Sequence, residues 1–235
     1  MIISDGYFAE RIRWHNIDAM RFFLVFLPVL MITAQAQTPA TSMKKISDTK
    51  VASSSNLAIK DYKESGSPTA PITVELYTDY ECPACRAFYL ETLPYLIKDF
   101  VATGKVRLIH RDFRLPQHQF SKVATRYANA AGEIGKFELV TNQLFQTQPD
   151  WSQNGNVDGD VAKVLSPADM EKVRNLVKND THLDDTAVRD EAIANNQDHL
   201  NQTPTIVIVA KGKREVISGG MPYAILKQYL NQKLG

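Results

Sequence analysis

The sequence contains very little cysteine, with two residues in a chain of 235. Two cysteines cannot form the disulfide framework that stabilises many small secreted domains. They also cannot complete a structural zinc site, because such a site needs four ligands and the five histidines show no metal-ligand spacing. We therefore expect no metal ion, and we expect the histidines on the surface or in loops. They are His15, His110, His118, His182 and His199.

A strong charge of either sign is also missing. The chain has 27 Lys and Arg residues against 26 Asp and Glu residues, which leaves a formal net charge of +1. A nucleic-acid-binding surface usually shows a clear excess of basic residues, so we expect no nucleic-acid partner. The chain also lacks a heptad repeat, and a monomer is expected.

No apolar run is long enough to span a bilayer comfortably, which takes about 20 residues. The run near the N-terminus, residues 22–32, follows Met20 and Arg21 and precedes the small-residue pattern of residues 34–36. A basic residue, a short apolar core and an Ala-x-Ala site are typical of a secretory signal peptide. We therefore predict a signal peptide region at residues 1–36, for which Met20 is the better start, and a periplasmic or otherwise extracytoplasmic mature protein. An uncleaved anchor or a buried N-terminal helix is the alternative.

The composition changes again after the signal region. Residues 37–62 are predicted to be a linker, because most of this segment is rich in Ser, Thr, Ala and Lys and has no sustained apolar period. Residues 63–235 are predicted to form the folded domain, which with 44% hydrophobic residues overall can bury one substantial core.

The two cysteines lie close together, in Cys82-Pro83-Ala84-Cys85. A disulfide that closes so short a loop adds little stability, so reactivity explains the pair better. Residues 72–78 alternate and are rich in β-formers, and helix-forming residues follow Pro83. Cys82 is thus predicted at a strand-to-helix junction, with Pro83 in the first helical position.

A junction of this kind favours a thiolate at Cys82. The first N–H groups of a helix are unpaired, and the helix dipole places partial positive charge beside them. A thiolate is the form that attacks a disulfide and also leaves readily. Cys82 is therefore predicted to attack and to form a mixed disulfide, and the more buried Cys85 to resolve it.

The predicted elements alternate between strand and helix, with a long helical stretch in the middle. We predict a kink at Pro94 in the first helix, an apolar core for the helical stretch, and one apolar face on the last helix. Strands are predicted at residues 72–78, 105–111, 204–210 and 214–218, and helices at residues 83–102, 118–200 and 222–234. The predicted core residues of the helical stretch are Phe137, Leu144, Phe145 and Trp151, and the predicted face of the last helix is Ile225, Leu226, Tyr229, Leu230 and Leu234.

Five stretches of the chain together resemble the DsbA-like thiol-disulfide oxidoreductases of the thioredoxin superfamily. They are residues 66–74, 79–85, 105–113, 128–137 together with 144–146 and 151, and 202–209. The resemblance implies an α/β thioredoxin fold, with a central mixed β-sheet flanked by helices and a helical insertion at about residues 115–200. It implies no cofactor beyond a redox-active disulfide between Cys82 and Cys85.

The resemblance also implies a second part of the site, at Thr203 and Pro204. In the superfamily a cis-proline lies beside the active-site disulfide, and here it would let the Thr203 backbone pair with an extended substrate segment. The sequence alone would favour a trans proline at the start of a strand. One departure concerns a buried carboxylate that many relatives have six residues before the first cysteine, where this chain has Leu76. Glu75 lies one residue earlier and should face the other side of the sheet unless a bulge turns it inward.

The leading functional hypothesis is an exported oxidase that introduces disulfides into reduced exported proteins and is reoxidised by a membrane redox partner. A reductase or isomerase remains the alternative, because Pro83 and Ala84 do not decide the direction of exchange. A chaperone or binding module with incidental cysteines is the hypothesis from a different class.

Overall fold

The computed structural model describes residues 61–235. The predicted signal peptide region at residues 1–36, and the predicted linker up to residue 60, lie outside the described residues. Within the described part, no helix is long and apolar enough to cross a membrane.

A five-stranded mixed sheet forms the centre of the described domain. The strands lie in the order β1-β3-β2-β4-β5, with β2 parallel to β3 and the other neighbouring pairs antiparallel. The four predicted strands are present to within one residue at each end, whereas the first strand was not predicted because two residues give no alternating pattern. The strands are β1 (Glu64–Ser65), β2 (Ile72–Thr78), β3 (Val106–Asp112), β4 (Thr205–Ala210) and β5 (Lys213–Ser218).

The helix after β2 mixes two kinds of turn. Its α-helical segments are α1 (Pro83–Ala87) and α2 (Leu93–Leu96), and π-helical turns follow them at Phe88–Thr92 and Ile97–Val101. Pro94, where a kink was predicted, lies in the first turn of α2. Because proline has no N–H to donate to the preceding turn, the regular α-helical hydrogen bonding is interrupted there.

Six helices between β3 and β4 form the helical insertion. Their core is apolar as predicted, because Phe137, Leu144, Phe145 and Trp151 are all buried. The helices are α3 (Ser121–Glu133), α4 (Phe137–Gln146), α5 (Gln148–Asn154), α6 (Val157–Val161), α7 (Pro167–Asn179) and α8 (Asp185–Asn196).

The last helix, α9 (Tyr223–Leu234), packs on the main core through a narrower face than predicted. Leu226 and Leu230, one turn apart, are fully buried, and Tyr229 and Leu234 pack at the edge. Ile225 is 53% exposed, so its predicted place on the apolar face is wrong. Adjacent helical positions differ by about 100° around the axis, which turns residue 225 away when residue 226 faces inward.

His110 is a second correction, because it is buried in β3 rather than exposed. Alternation along the strand puts His110 on the same side as Leu108, which faces the main core. Its ring lies near the rings of Tyr89 and Phe137, with centroids 6.4 and 5.7 Å away. Burial lowers the pKa of His110 and so favours the neutral ring.

A buried lysine fastens the start of the described domain to the sheet and to the insertion. Lys63 is 2% exposed, and its Nζ donates to Asp112 Oδ2 at the end of β3. The same Nζ lies 3.6 Å from Asp190 Oδ2 on α8. Asp190 also accepts from the Asp112 backbone N–H at 3.1 Å, so one cation lies between two buried carboxylates.

Replacing this cation should destabilise the fold strongly. We expect Lys63→Met to lower the free energy of unfolding by about 3–5 kcal/mol, since the buried Asp112 would lose the ammonium group that it binds and only Arg111 would remain beside Asp190. Lys122 is the matched control, because its side chain is 70% exposed and lies 3.7 Å from Asp184. Lys122→Met should cost less than ~1 kcal/mol. Urea unfolding of the reduced protein measures both, and equal stabilities for the two variants would contradict the assignment.

Candidate active site

Cys82 occupies the position directly before the first turn of α1, as the sequence predicts. Its backbone is extended, with φ −75° and ψ 120°, and Pro83 follows at the start of the helix. The Cys82 carbonyl accepts the N–H of Arg86 at 3.1 Å, which begins the helical hydrogen bonding. The Cys82 side chain therefore lies beside the unpaired N–H groups of the first turn.

The two cysteines are free thiols in different surroundings. Cys82 is 6% exposed and Cys85 is fully buried, whereas Pro83 and Ala84 between them are exposed. A partner protein can therefore reach the loop at Cys82, while Cys85 lies beneath it.

The surroundings lower the pKa of Cys82 to about 5. The largest contribution is the hydrogen bond from the Cys85 thiol, and the Thr203 hydroxyl and the backbone N–H groups of Cys85 and Ala84 add to it, while burial opposes it. For Cys85 the main effect is the reverse, because burial raises the pKa of its thiol well above the ordinary value. At neutral pH the pair therefore holds a thiolate at Cys82 and a neutral thiol at Cys85.

Thr203 and Pro204 lie directly against the cysteines, although they are more than a hundred residues away in the sequence. The bond between them is cis, as the resemblance implies. Cys82 Sγ lies 3.4 Å from the Thr203 carbonyl oxygen. Thr203 Oγ1 is buried and has no other hydrogen-bond partner within residues 61–235, which leaves its proton available to the Cys82 sulfur.

Glu75 faces away from the cysteines, as strand alternation predicts. β2 pairs in unbroken register with both neighbours, so no bulge turns Glu75 inward. Its carboxylate binds Arg214 at 2.9 and 3.0 Å and Arg111 at 3.3 Å. Burial alone would raise the pKa of Glu75, but the two arginines lower it. Leu76 instead packs in the same core cluster as Cys85.

Asp79 is a buried carboxylate on the cysteine side that the sequence analysis missed. It is 1% exposed, and its backbone N–H lies 3.5 Å from Cys85 Sγ. The carboxylate binds the segment that enters the insertion: Leu115 N–H at 2.7 Å, His118 Nδ1 at 2.9 Å, and the Ser121 hydroxyl. The position of an acidic residue just before the cysteine motif could have indicated this carboxylate, but an aspartate there is equally typical of a turn. Its partners, 36 to 42 residues away, appear only in the fold.

The site contains no obvious place for a metal ion. Across residues 61–235, no group of three or more His, Cys, Asp and Glu side chains is arranged to hold one.

Removal of Cys85 should make Cys82 less acidic. We expect the thiolate absorbance of the reduced protein to titrate with a midpoint near 5. In Cys85→Ala the midpoint should rise by about one pH unit, since the thiol that donates the strongest hydrogen bond is lost. Cys82→Ala is the control and should abolish this low-pH transition. A Cys85→Ala protein that titrates like the wild type would show that another group stabilises the thiolate.

Comparison with known proteins agrees with this fold. Disulfide bond formation protein D of Bacillus subtilis (strain 168) is 27% identical over 186 residues, covering 75% of this chain and 79% of that protein. The crystal structure of oxidised BdbD from Bacillus subtilis aligns with a TM-score of 0.59 and 26% identity, covering 75% of this chain and 94% of that chain. The alpha-DsbA1 structure from Wolbachia pipientis aligns with a TM-score of 0.60, covering 73% of this chain and 89% of the other, and at 18% identity it supports the fold alone.

A protein-family model also matches this chain. The model described as Thioredoxin matches residues 61–227, which include every strand of the sheet, both cysteines and Pro204. Because this match extends over more than half of the sequence, the chain belongs to the thioredoxin family.

Proposed function

We propose that this thiol-disulfide oxidoreductase forms disulfide bonds in exported proteins, through exchange at Cys82 and Cys85. The observation that carries the proposal is the low pKa of Cys82. A stabilised thiolate lowers the free energy of the reduced protein relative to the disulfide, so the disulfide tends to pass to other proteins. The name of the Bacillus subtilis relative, disulfide bond formation protein D, supports the same direction.

The proposed reaction starts with a disulfide between Cys82 and Cys85. A substrate thiolate attacks Cys82 Sγ, the bond between the two cysteines breaks, and Cys85 leaves as a thiolate that takes up a proton. A second substrate thiolate then attacks the substrate sulfur of the mixed disulfide and releases Cys82 as a thiolate. The substrate loses two electrons as its disulfide forms, and the cysteine pair of the enzyme receives them.

The different exposure of the two sulfurs supports these roles. Cys82 lies under the exposed residues Pro83 and Ala84, whereas Cys85 is fully buried. An incoming thiolate therefore reaches Cys82 first. The low pKa of Cys82 also makes it a good leaving group in the second step, which favours release of the oxidised substrate.

A groove beside Cys82 provides a place for the substrate segment. Pro204 lies at one end, where a Cβ built on Gly220 would be 3.6 Å from Pro204 Cγ. The Thr203 backbone could pair with an extended segment, and the groove could take its side chains. Such a groove suits an unfolded, reduced chain better than a folded one. Its lining includes Ala84, Phe88, Thr92, Gly220, Met221 and Pro222.

Turnover requires an electron acceptor, and we propose a membrane redox partner in the compartment to which the signal peptide would send the protein. The reduced Cys82 thiolate would attack a disulfide of that partner, and Cys85 would then close the disulfide of the enzyme. The cysteine pair carries the electrons itself, so the proposal includes no further cofactor.

The first test is the redox potential of the cysteine pair. We expect a value well above that of thioredoxin, which is about −270 mV, when the protein is equilibrated with glutathione buffers. A thioredoxin-like value would instead support the reductase. The variant Cys82→Ser should oxidise a reduced model protein no faster than the uncatalysed reaction. If Cys82→Ser kept both its cellular role and its interaction with reduced chains, the binding module would be the better description.

A second test concerns the groove. The variant Gly220→Leu should raise KM for a reduced protein substrate about tenfold, because the new side chain fills the space beside Pro204 while its Cβ fits at ordinary contact distance. Oxidation of a small dithiol should fall by much less, since it needs access to the sulfur alone. An equal loss with both substrates would place the substrate segment elsewhere.

A further inference from the structure

Gln148 is a polar side chain of the insertion that is buried against the active-site loop. It is the first residue of α5 and is 3% exposed. Its Nε2 donates to the Tyr80 carbonyl at 2.7 Å and to the Cys82 carbonyl at 2.9 Å. A carboxamide nitrogen has two hydrogens to donate, so both are used on the backbone just before and at the reactive cysteine.

These two hydrogen bonds act on the peptide groups that lead into the helix. The Cys82 carbonyl also accepts the first helical N–H, that of Arg86. The direction in which this carbonyl points therefore sets the position of the first turn of α1 relative to the Cys82 side chain. The backbone N–H groups of Ala84 and Cys85, which stabilise the Cys82 sulfur, belong to the same turn.

We propose that Gln148 is a positioning residue for Cys82, which holds the two carbonyls so that the first turn of the helix keeps its N–H groups directed at the sulfur. The helical insertion would in this way set the reactivity of the cysteine pair in addition to covering it. This inference deepens the proposed function and rests on it for its biological role. The effect of Gln148 itself is on the Cys82 sulfur alone.

Neighbouring contacts also join the active-site loop to the insertion. The Tyr80 ring stacks on the Phe145 ring at a centroid distance of 5.1 Å, and Arg86 Nε donates to the Phe145 carbonyl at 3.0 Å. Both contacts join the active-site loop and α1 to the end of α4, just before Gln148. The two segments that Gln148 connects are therefore already fixed against each other, so its hydrogen bonds form with little loss of conformational freedom.

The test is a titration of the Cys82 thiolate in the full-length reduced protein. Gln148→Met keeps the size of the side chain and removes both donors, and we expect the Cys82 pKa to rise by about 0.5 to 1 unit. Gln148→Glu removes the donors and adds a negative charge, so the rise should be larger. Ultraviolet absorbance of the thiolate against pH reports the value without any substrate.

Gln153 provides the matched control, because it lies on the same helix, is exposed, and donates to the Pro149 carbonyl at 2.8 Å. Gln153→Met and Gln153→Glu should leave the Cys82 pKa within about 0.2 units of the wild type. Thermal unfolding identifies which variants are folded at the titration temperature. A change in stability alone, without a change in the Cys82 pKa of the folded protein, would reduce Gln148 to a structural role.

The inference is overturned if either folded Gln148 variant titrates like the wild type, or if the Gln153 variants shift the pKa equally. This outcome differs from failure of the proposed function. A wild-type Cys82 with an ordinary cysteine pKa, or a reducing redox potential, would refute the oxidase, whereas the effect of Gln148 is read from the difference between variants.

Discussion

The interaction on which the rest of the site depends is the stabilisation of a charged sulfur by the first turn of a helix. The N–H groups there have no partner within the helix, and Cys82 places its side chain beside them. Other residues of the site maintain or exploit this contact. Cys85 donates to the sulfur from within the helix, the Thr203 hydroxyl adds to this stabilisation, and Gln148 holds the backbone from the insertion.

The two cysteines of one short motif lie in different environments. Two residues separate Cys82 from Cys85, which puts one sulfur at the start of the helix and the other inside the core. Burial makes the charged form of Cys85 costly, while hydrogen bonds make the charged form of Cys82 favourable. The two pKa values are therefore shifted in opposite directions. This difference supports the proposed roles of Cys82 as the attacking thiol and Cys85 as the resolving thiol.

The two faces of the sheet differ in the charged residues that lie on them. On one face Glu75 is neutralised by Arg214 and Arg111, in a network that continues through Asp190 to Lys63. On the other face Leu76 packs with Cys85, and Asp79 supplies the buried carboxylate of that side. A displacement of one residue along a strand changes the face of a side chain, so Glu75 serves the stability of the domain rather than the cysteines.

The sequence by itself determined the local features of this protein. The strand before Cys82, the helix after Pro83, the spacing of the cysteines and the outward direction of Glu75 all follow from short-range patterns. Thr203 and Pro204 were predicted only through the resemblance to a known family. The tertiary structure decided the rest, because Asp79 and Gln148 bind partners 36 to 68 residues away. Polar residues of this kind read as turn or surface residues in a sequence. Hydrogen bonding with distant backbone groups becomes defined only when the chain folds and excludes water from them.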